Sequence, residues 1–468
     1  METYTTTVGI EVHAELKTKS KMFCGCANAP HEAQPNTHIC PVCMAHPGTL
    51  PTVNKEAVAY LMQVGRAIGG TLADYSEFDR KNYFYPDIPK AYQISQYQFP
   101  FVTGGEIAGV AITRVHLEED TARSQHDQGE ESLVDFNRAG VPLMELVTEP
   151  VIHDAKKAGE FAKELQLLLR TLGVSDANME KGEMRVEANI SVSASSELGT
   201  KVEVKNLNSF KSVEAAIAYE TKRQIELIEK GETIKQETLG WDESKGKTFS
   251  QRSKETANDY RYFPDPDIPK FVRSEIDEFS DSRIDEKIPE IPAIKRVAYK
   301  NLGLDDIQIE VIIGNIEHDA FFREVIAHLP ESVERRLAAN YFVTDVLALI
   351  EGGRSINDAH ADTFAGLLAL LGEGKITSRV AKDLLPEVVF EGLHAQDIAA
   401  SRGLMQQNSE DALLPIVESV IAENPAVVEE YRSGKESSLQ FLIGQGMKAS
   451  RGSANPVALR ELLVKKLS

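Results

Sequence analysis

Apolar and polar residues alternate strictly in several short stretches of the first 290 or so residues. In Val8-Gly9-Ile10-Glu11-Val12-His13 the two-residue period puts Glu11 and His13 on one face of a strand. Met184 to Val192 repeats the pattern, with Arg185, Glu187, Asn189 and Ser191 above an apolar underside, and Lys201-Val202-Glu203-Val204-Lys205-Asn206 is a third copy. Such strands belong to an antiparallel sheet with one face on a core and the other toward water or a ligand. Turn clusters such as Tyr85-Pro86-Asp87, Gly104-Gly105 and Phe263-Pro264-Asp265-Pro266-Asp267 interrupt them. From about residue 306 the period becomes helical, over Leu337 to Glu351, Thr363 to Leu371, Ser378 to Leu385 and Asp411 to Glu423. Between the two regimes, Ile288-Pro289-Glu290-Ile291-Pro292 reads as a hinge, because two prolines in five residues disfavour both helix and central strand.

Composition narrows the classes. The 468 residues are 42% hydrophobic, so several domains can each bury a core. No apolar run approaches the roughly 18 residues of a membrane span, and Met1-Glu2-Thr3-Tyr4 does not begin a signal peptide. A soluble, cytoplasmic protein without a membrane partner is expected. The net charge of -21 argues against sequence-blind adhesion to nucleic acid except at a locally basic patch.

All four cysteines fall in residues 24–43, as Cys24-x-Cys26 and Cys40-Pro41-Val42-Cys43, with 13 residues between the pairs. In a reducing compartment this spacing predicts a tetrahedral four-thiolate zinc site with no open position for water, hence a structural one. His31, His38 and His46 lie nearby and are read as solvated loop histidines, with replacement of a cysteine ligand as the alternative.

The segment Arg114-Val115-His116-Leu117-Glu118-Glu119-Asp120 concentrates three carboxylates, which repel one another unless solvent or a cation intervenes. Placed beside the other strands, Glu11, Glu187 and one or more of Glu118, Glu119 and Asp120 would hold Mg²⁺, with His13 close by. Period 2 groups Glu118 with His116 and Asp120 and puts Glu119 opposite. Spacing alone does not say which is the ligand. The chain contains no P-loop, Rossmann fingerprint, nucleophile elbow or His-Glu-x-x-His motif. From the residues alone the reading stops at a Mg²⁺-using enzyme or a zinc-stabilised binding protein.

Longer strings carry a resemblance. Val8 to Leu16, Asp79 to Tyr97 (Asp-Arg-Lys-Asn-Tyr-Phe-Tyr-Pro-Asp-Ile-Pro-Lys-Ala-Tyr-Gln-Ile-Ser-Gln-Tyr), Asp135 to Leu143, Lys205 to Phe210, Asp259 to Asp267, Gly444 to Lys448 and Ala454-Asn455-Pro456 resemble the B subunit of the bacterial tRNA-dependent amidotransferases, the GatB family. The resemblance implies ATP-dependent amidation of misacylated Glu-tRNA(Gln) or Asp-tRNA(Asn). The side-chain carboxylate is activated as an acyl phosphate, then attacked by ammonia from a glutaminase A subunit, with a small C subunit completing a heterotrimer. The implied metal site maps onto Glu11, His13 and the cluster Glu118, Glu119 and Asp120, to which the alternation adds Glu187. Lys81, Arg138, Arg185, Lys205, Asn206, Arg252 and Arg261 are candidates to meet ATP phosphates or the tRNA acceptor end, or else form structural ion pairs. Tyr83 is a candidate to stack on adenine or the terminal base, or else packs in a core. The family's zinc knob matches Cys24, Cys26, Cys40 and Cys43.

The expected architecture is α+β: an antiparallel-sheet cradle domain over residues 1–293, an all-helical domain over 294–402 and a small helical tail domain over 403–468. Residues 431–468 hold seven Lys and Arg, among them Lys435, Lys448 and Arg451, against two acids. A basic tail on an acidic body suits selective tRNA docking. The chain departs from the family in lacking an arginine before Trp241, in carrying Val186-Glu187 where Cys-Asp is commoner, and in placing Gly446 where valine is usual. Two other readings are a non-catalytic, zinc-stabilised tRNA-binding subunit and a Mg²⁺-dependent hydrolase acting without tRNA.

Overall fold

The computed structural model describes residues 4–125, 131–253, 260–406, 410–450 and 452–467. The chain divides into two compact units, Met1–Pro292 and Ala293–Ser468, with the diproline segment at the division.

The first unit is built on one twisted sheet. Its long strands are β1 (Thr5–Glu15), β4 (Val110–Glu119), β5 (Pro142–Thr148), β6 (Met184–Ser193), β7 (Val202–Leu207), β8 (Glu237–Asp242) and β9 (Lys247–Ser253), in the spatial order β9-β8-β7-β6-β1-β5-β4. Short strands Val102–Thr103 and Thr71–Leu72 extend the β4 edge. Every long pairing is antiparallel except β7 with β8, which helix α3 (Phe210–Glu229) connects. Alternation produces an apolar face of Val8, Ile10 and Val12 from β1, Val115 and Leu117 from β4, Met144 and Leu146 from β5, and Val186, Ala188 and Ile190 from β6, all at most 1% exposed. That face packs in one core with the buried stripes of α1 (Lys55–Ala67), α2 (Ala155–Thr171) and α3. Each such aliphatic side chain contributes about 1.5–3 kcal/mol of burial. With helices on one face only, the polar face is free to carry the site. A small antiparallel pair, β2 (Asp79–Asn82) and β3 (Tyr92–Ser95), joins Phe263–Pro264 beside that face.

Local signals set the helix starts. Asn54, Asp154 and Ser209 each accept a backbone N–H of the helix they precede, as N-caps do.

The named elements of the second unit are all helices, joined by turns and short irregular segments. It comprises α4 (Pro292–Asn301), α5 (Asp306–Ile313), α6 (Ile316–His328), a helical run over Arg335–Glu351 with a π-helical turn at Phe342–Val346, α7 (Ala361–Gly372), α8 (Ser378–Phe390) and a short helix at Ala395–Ser401. Four more follow, α9 (Glu410–Glu423), α10 (Pro425–Arg432), α11 (Ser437–Ala449) and α12 (Pro456–Leu467), and they share a hydrophobic cluster of their own around Leu413, Val417, Leu442, Leu459 and Leu463. Gly446 explains one departure noted above: a Cβ there would meet Leu459 Cδ2 at 2.6 Å, so the glycine lets α11 and α12 approach closely. Among the described residues, no helix is long and apolar enough to cross a membrane.

Candidate active site

Strand register assembles the polar face. His13 stands opposite Arg185 of β6 on one side and Glu145 of β5 on the other. Glu145 in turn stands opposite His116 of β4, and Glu11 opposite Glu187. Four strands thus bring one row of side chains, Arg185-His13-Glu145-His116, across the sheet. His13 Nε2 lies 3.7 Å from Glu11, 3.6 Å from Glu118 and 3.4 Å from Glu145, and His116 Nε2 is 3.4 Å from Glu145. Two overlapping donor sets, Glu11-His13-Glu145 and His116-Glu118-Glu145, each fit within 4.8 Å.

Carboxylates this close repel strongly: unit charges 4 Å apart interact by about 4 kcal/mol at an effective dielectric of 20. The bare cluster answers by holding protons. Burial, aided by the Glu145 charge, pushes Glu11 up to about 7. Burial opposes charging His13, but the hydrogen bond and charge of Glu145, with Glu118 and Glu187 behind it, hold it up at about 9. A divalent cation offsets the same charge, and three carboxylates with two imidazoles suit Mg²⁺ or, given the nitrogens, Mn²⁺. His116 Nδ1 is buried without a hydrogen-bond partner, leaving that ring free to present either nitrogen.

Cations ring this acidic floor. Lys81, on β2, is half-buried, and the charges of Glu118 and Glu145 raise its pKa against the desolvation penalty. Its ammonium lies 5.1 Å from the Tyr260 ring centre and 5.9 Å from that of Tyr83, so Tyr83 packs in an aromatic cage around the lysine. Arg185 reaches Asp120 at 2.9 Å, and Lys205 reaches Glu187 at 2.7 Å. Arg138 donates to the carbonyls of Thr121 (3.0 Å) and Ala122 (3.1 Å) and lies 3.7 Å from Asp120.

Of the acidic run, Glu118 joins the cluster while its other oxygen accepts from Ser95 Oγ. Glu119 does not: as the two-residue period requires, it faces away, taking Lys90 Nζ and the Ile94 backbone N–H. Asp120 serves the two arginines. Glu187 stands at the margin, beside Glu11. Asn206 is exposed at a strand irregularity with φ of 63°, and the Arg261 carbonyl accepts from Asn82. Arg252 pairs its backbone with Thr238, but its side chain lies outside the described residues, as does Arg451. Lys435 pairs with Glu430 at 2.8 Å, and Lys448 is exposed on the last turn of α11.

Sequence reasoning missed Glu145, the residue that touches both histidines. The signal was present: a lone acid in the otherwise apolar Val141-Pro142-Leu143-Met144-Glu145-Leu146-Val147. Also unforeseen is Glu15, which is buried on the same strand face, with one oxygen 3.2 Å from His31 and the other unpartnered.

The four cysteine sulfurs lie within 4.8 Å of one another, with Cys40 and Cys43 3.9 Å apart. The Cys40 backbone N–H points at Cys43 Sγ, 3.2 Å away. The Cys24 thiol donates to Cys43 and, against burial, holds it down at about 4. Four converging sulfurs, one already favouring the thiolate, fit a tetrahedral metal.

Comparison with known proteins identifies the family of the chain. Residues 6–277 match the model of the GatB/GatE catalytic domain, and residues 320–467 match that of the GatB domain. Proteins named as the B subunit of aspartyl/glutamyl-tRNA(Asn/Gln) amidotransferase are similar over their whole length. The one from Thermoanaerobacter sp. (strain X514) is 42% identical, covering 99% of both chains. That of Moorella thermoacetica is 42% identical over 99% of this chain and all of its own, and that of Dehalococcoides mccartyi 42% over 100% and 99%.

Proposed function

Since the chain belongs to the GatB family of tRNA-dependent amidotransferases, we propose that its polar face carries out ATP-dependent amidation of misacylated Glu-tRNA(Gln), Asp-tRNA(Asn) or both. A carboxylate is a poor acyl donor because its leaving group would be oxide; transfer of the ATP γ-phosphoryl to the side-chain carboxylate supplies phosphate instead, which ammonia displaces to leave the amide. A divalent cation, when bound, would neutralise phosphate charge so that the substrate carboxylate can approach. Glu11, His13, Glu118 and Glu145 would hold it, with His116 beside them. Lys81, Arg185 and Lys205, set around this floor, would meet the outer phosphate oxygens and keep the reacting groups in line.

The observation that carries the reading is that two donor sets, Glu11-His13-Glu145 and His116-Glu118-Glu145, share Glu145 on one sheet face, with the Glu118 and Glu145 charges acting on Lys81. The ammonia would come from a glutaminase A subunit, with a small C subunit completing the assembly, and α11 and α12, which carry Lys448, Arg460, Lys465 and Lys466 against Glu461, would take the tRNA body. Zinc held by the four cysteines would stiffen the loop over residues 24–43.

The test is tRNA-dependent ADP formation by the complex with its glutaminase partner, in native and Glu11→Gln forms. The native complex should release ADP only with charged tRNA, and Glu11→Gln should lose that while binding tRNA nearly as well. No tRNA-dependent ADP from the native complex sinks the reading; unchanged ADP in the variant removes Glu11 from the site. Assaying each misacylated tRNA separately identifies the substrate.

A further inference from the structure

We propose that Lys21 is the counter-charge of the anionic centre formed by a divalent metal and the thiolates of Cys24, Cys26, Cys40 and Cys43, and that it couples this centre to the loop carrying Arg138. The inference rests on the reading that the four cysteines bind a metal.

Lys21 is 1% exposed, among the most completely buried large side chains of the protein. Its ammonium donates to the carbonyls of Ala139 (2.7 Å) and Phe136 (3.2 Å), and its remaining contact is Cys43 Sγ at 3.8 Å. Among the described residues no carboxylate is within ion-pair distance of it; the nearby Glu119 is taken by Lys90. A buried ammonium with only neutral partners is costly, and a long side chain usually escapes by reaching water. Lys21 stays inside, pointing at the sulfurs. Four thiolates around one divalent cation leave two negative charges, and these supply the missing partner at the distance observed. Without the metal, a lone Cys43 thiolate would supply only one of these charges, and four neutral thiols none.

The two carbonyls that Lys21 binds bracket Arg138. The same loop is bonded to the cysteine loop elsewhere. Asn36 donates its backbone N–H to Asp135 (2.9 Å) and accepts from the Phe136 N–H (2.8 Å). Asn137, fully buried, accepts from the His38 N–H and donates to the Gln34 carbonyl, both at 2.8 Å. Gly140, at φ +85°, brings its backbone so close that a Cβ would touch Cys43 Cβ and Lys21 Cδ at 3.6 Å. From this loop Arg138 reaches toward Asp120, which holds Arg185 at the edge of the catalytic face. Lys21 is therefore a positioning residue: metal occupancy fixes its ammonium, and the ammonium fixes the backbone on both sides of Arg138.

Two variants of the full chain separate its charge from its hydrogen bonds. Lys21→Gln keeps a donor for the carbonyls without the charge, and Lys21→Met removes both. Zinc content is measured by mass spectrometry, zinc affinity by competition with a chromophoric chelator, and thermal midpoints with and without zinc. The expected result is native protein with one tightly held zinc, both variants binding it about tenfold or more weakly, and midpoints that fall in both zinc-loaded variants but hardly differ between the metal-stripped native and Lys21→Gln forms, Lys21→Met losing its carbonyl bonds in either state. Native protein without zinc overturns the metal reading and the inference with it. Native zinc with both variants within about twofold in affinity, or a loss of midpoint in Lys21→Gln that is equal with and without zinc, overturns the role of Lys21 alone, leaving it a carbonyl anchor.

Discussion

Replacing Asp120 with asparagine removes one charge, changes little shape, and tests how the cationic rim of the site is held. Asp120 Oδ2 lies 2.9 Å from Arg185 NH1 and 3.7 Å from Arg138 Nε, while Oδ1 accepts the Thr121 N–H. Burial alone would raise its pKa, but the charges of Arg185 and Arg138 outweigh it and hold the carboxyl at about 2, against an ordinary 3.8. That difference corresponds to about 2 kcal/mol favouring the ionised, folded form. At 5% exposure Asp120 is little screened by solvent. Because the folded pKa is depressed, the stabilisation is complete above the unfolded pKa of about 4 and is lost as pH falls toward 2. At pH 3 about half remains. The amide of Asp120→Asn cannot titrate, so the gap between native and variant should be about 2 kcal/mol at pH 7 and about half that at pH 3. Urea unfolding read by the fluorescence of Trp241, the only tryptophan, reports on the sheet unit. The variant should also show a raised KM for ATP, since Arg185 and Arg138 lose their common anchor. A gap under about 0.5 kcal/mol at pH 7, or one that does not narrow on acidification, would refute the assignment of Asp120 as the ionised anchor.

Glu145→Gln should lower Mn²⁺ affinity about tenfold or more and stop ADP formation while leaving tRNA binding unchanged, because both histidines lose their shared carboxylate; isothermal titration with native-like affinity would exclude Glu145 as a ligand. Glu119→Gln should keep that affinity yet cost about 1–3 kcal/mol of stability, since its carboxylate serves Lys90 and Ile94; weakened Mn²⁺ binding would show that Glu119 does reach the metal. Gly446→Val, although valine is usual in the resembled family, should destabilise the C-terminal helices by about 1–3 kcal/mol against Leu459. An unaltered thermal melt of the second unit would show that α12 can shift freely. Lys448→Glu should weaken tRNA binding at low salt and reduce the slope of log affinity against log salt by about one, and an unchanged slope would remove Lys448 from the phosphate contacts.

Much of this protein is local information. Strand alternation predicts which face Glu11, His13, Arg185, Glu187 and Lys205 occupy, because side chains along a strand alternate whatever its neighbours are. The same rule separates Glu118 from Glu119. The spacing of four cysteines pairs them before any fold is known, and the shift from a two-residue to a helical period marks where sheet gives way to helix. What a strand pattern cannot contain is the identity of its neighbours. That β1 lies between β5 and β6, which sets His13 beside Glu145, depends on pairings across more than a hundred residues, and the register of β5 on β4 sets His116 on the other side of Glu145; only the folded sheet decides both. Glu145 is illegible alone for this reason: in an apolar strand a single acid reads as an exception until its neighbours supply two imidazoles. Lys21 is equally opaque in sequence, an ordinary lysine in a polar loop. Tertiary packing closes water off from its ammonium, and a buried charge then requires a partner that its own segment does not provide.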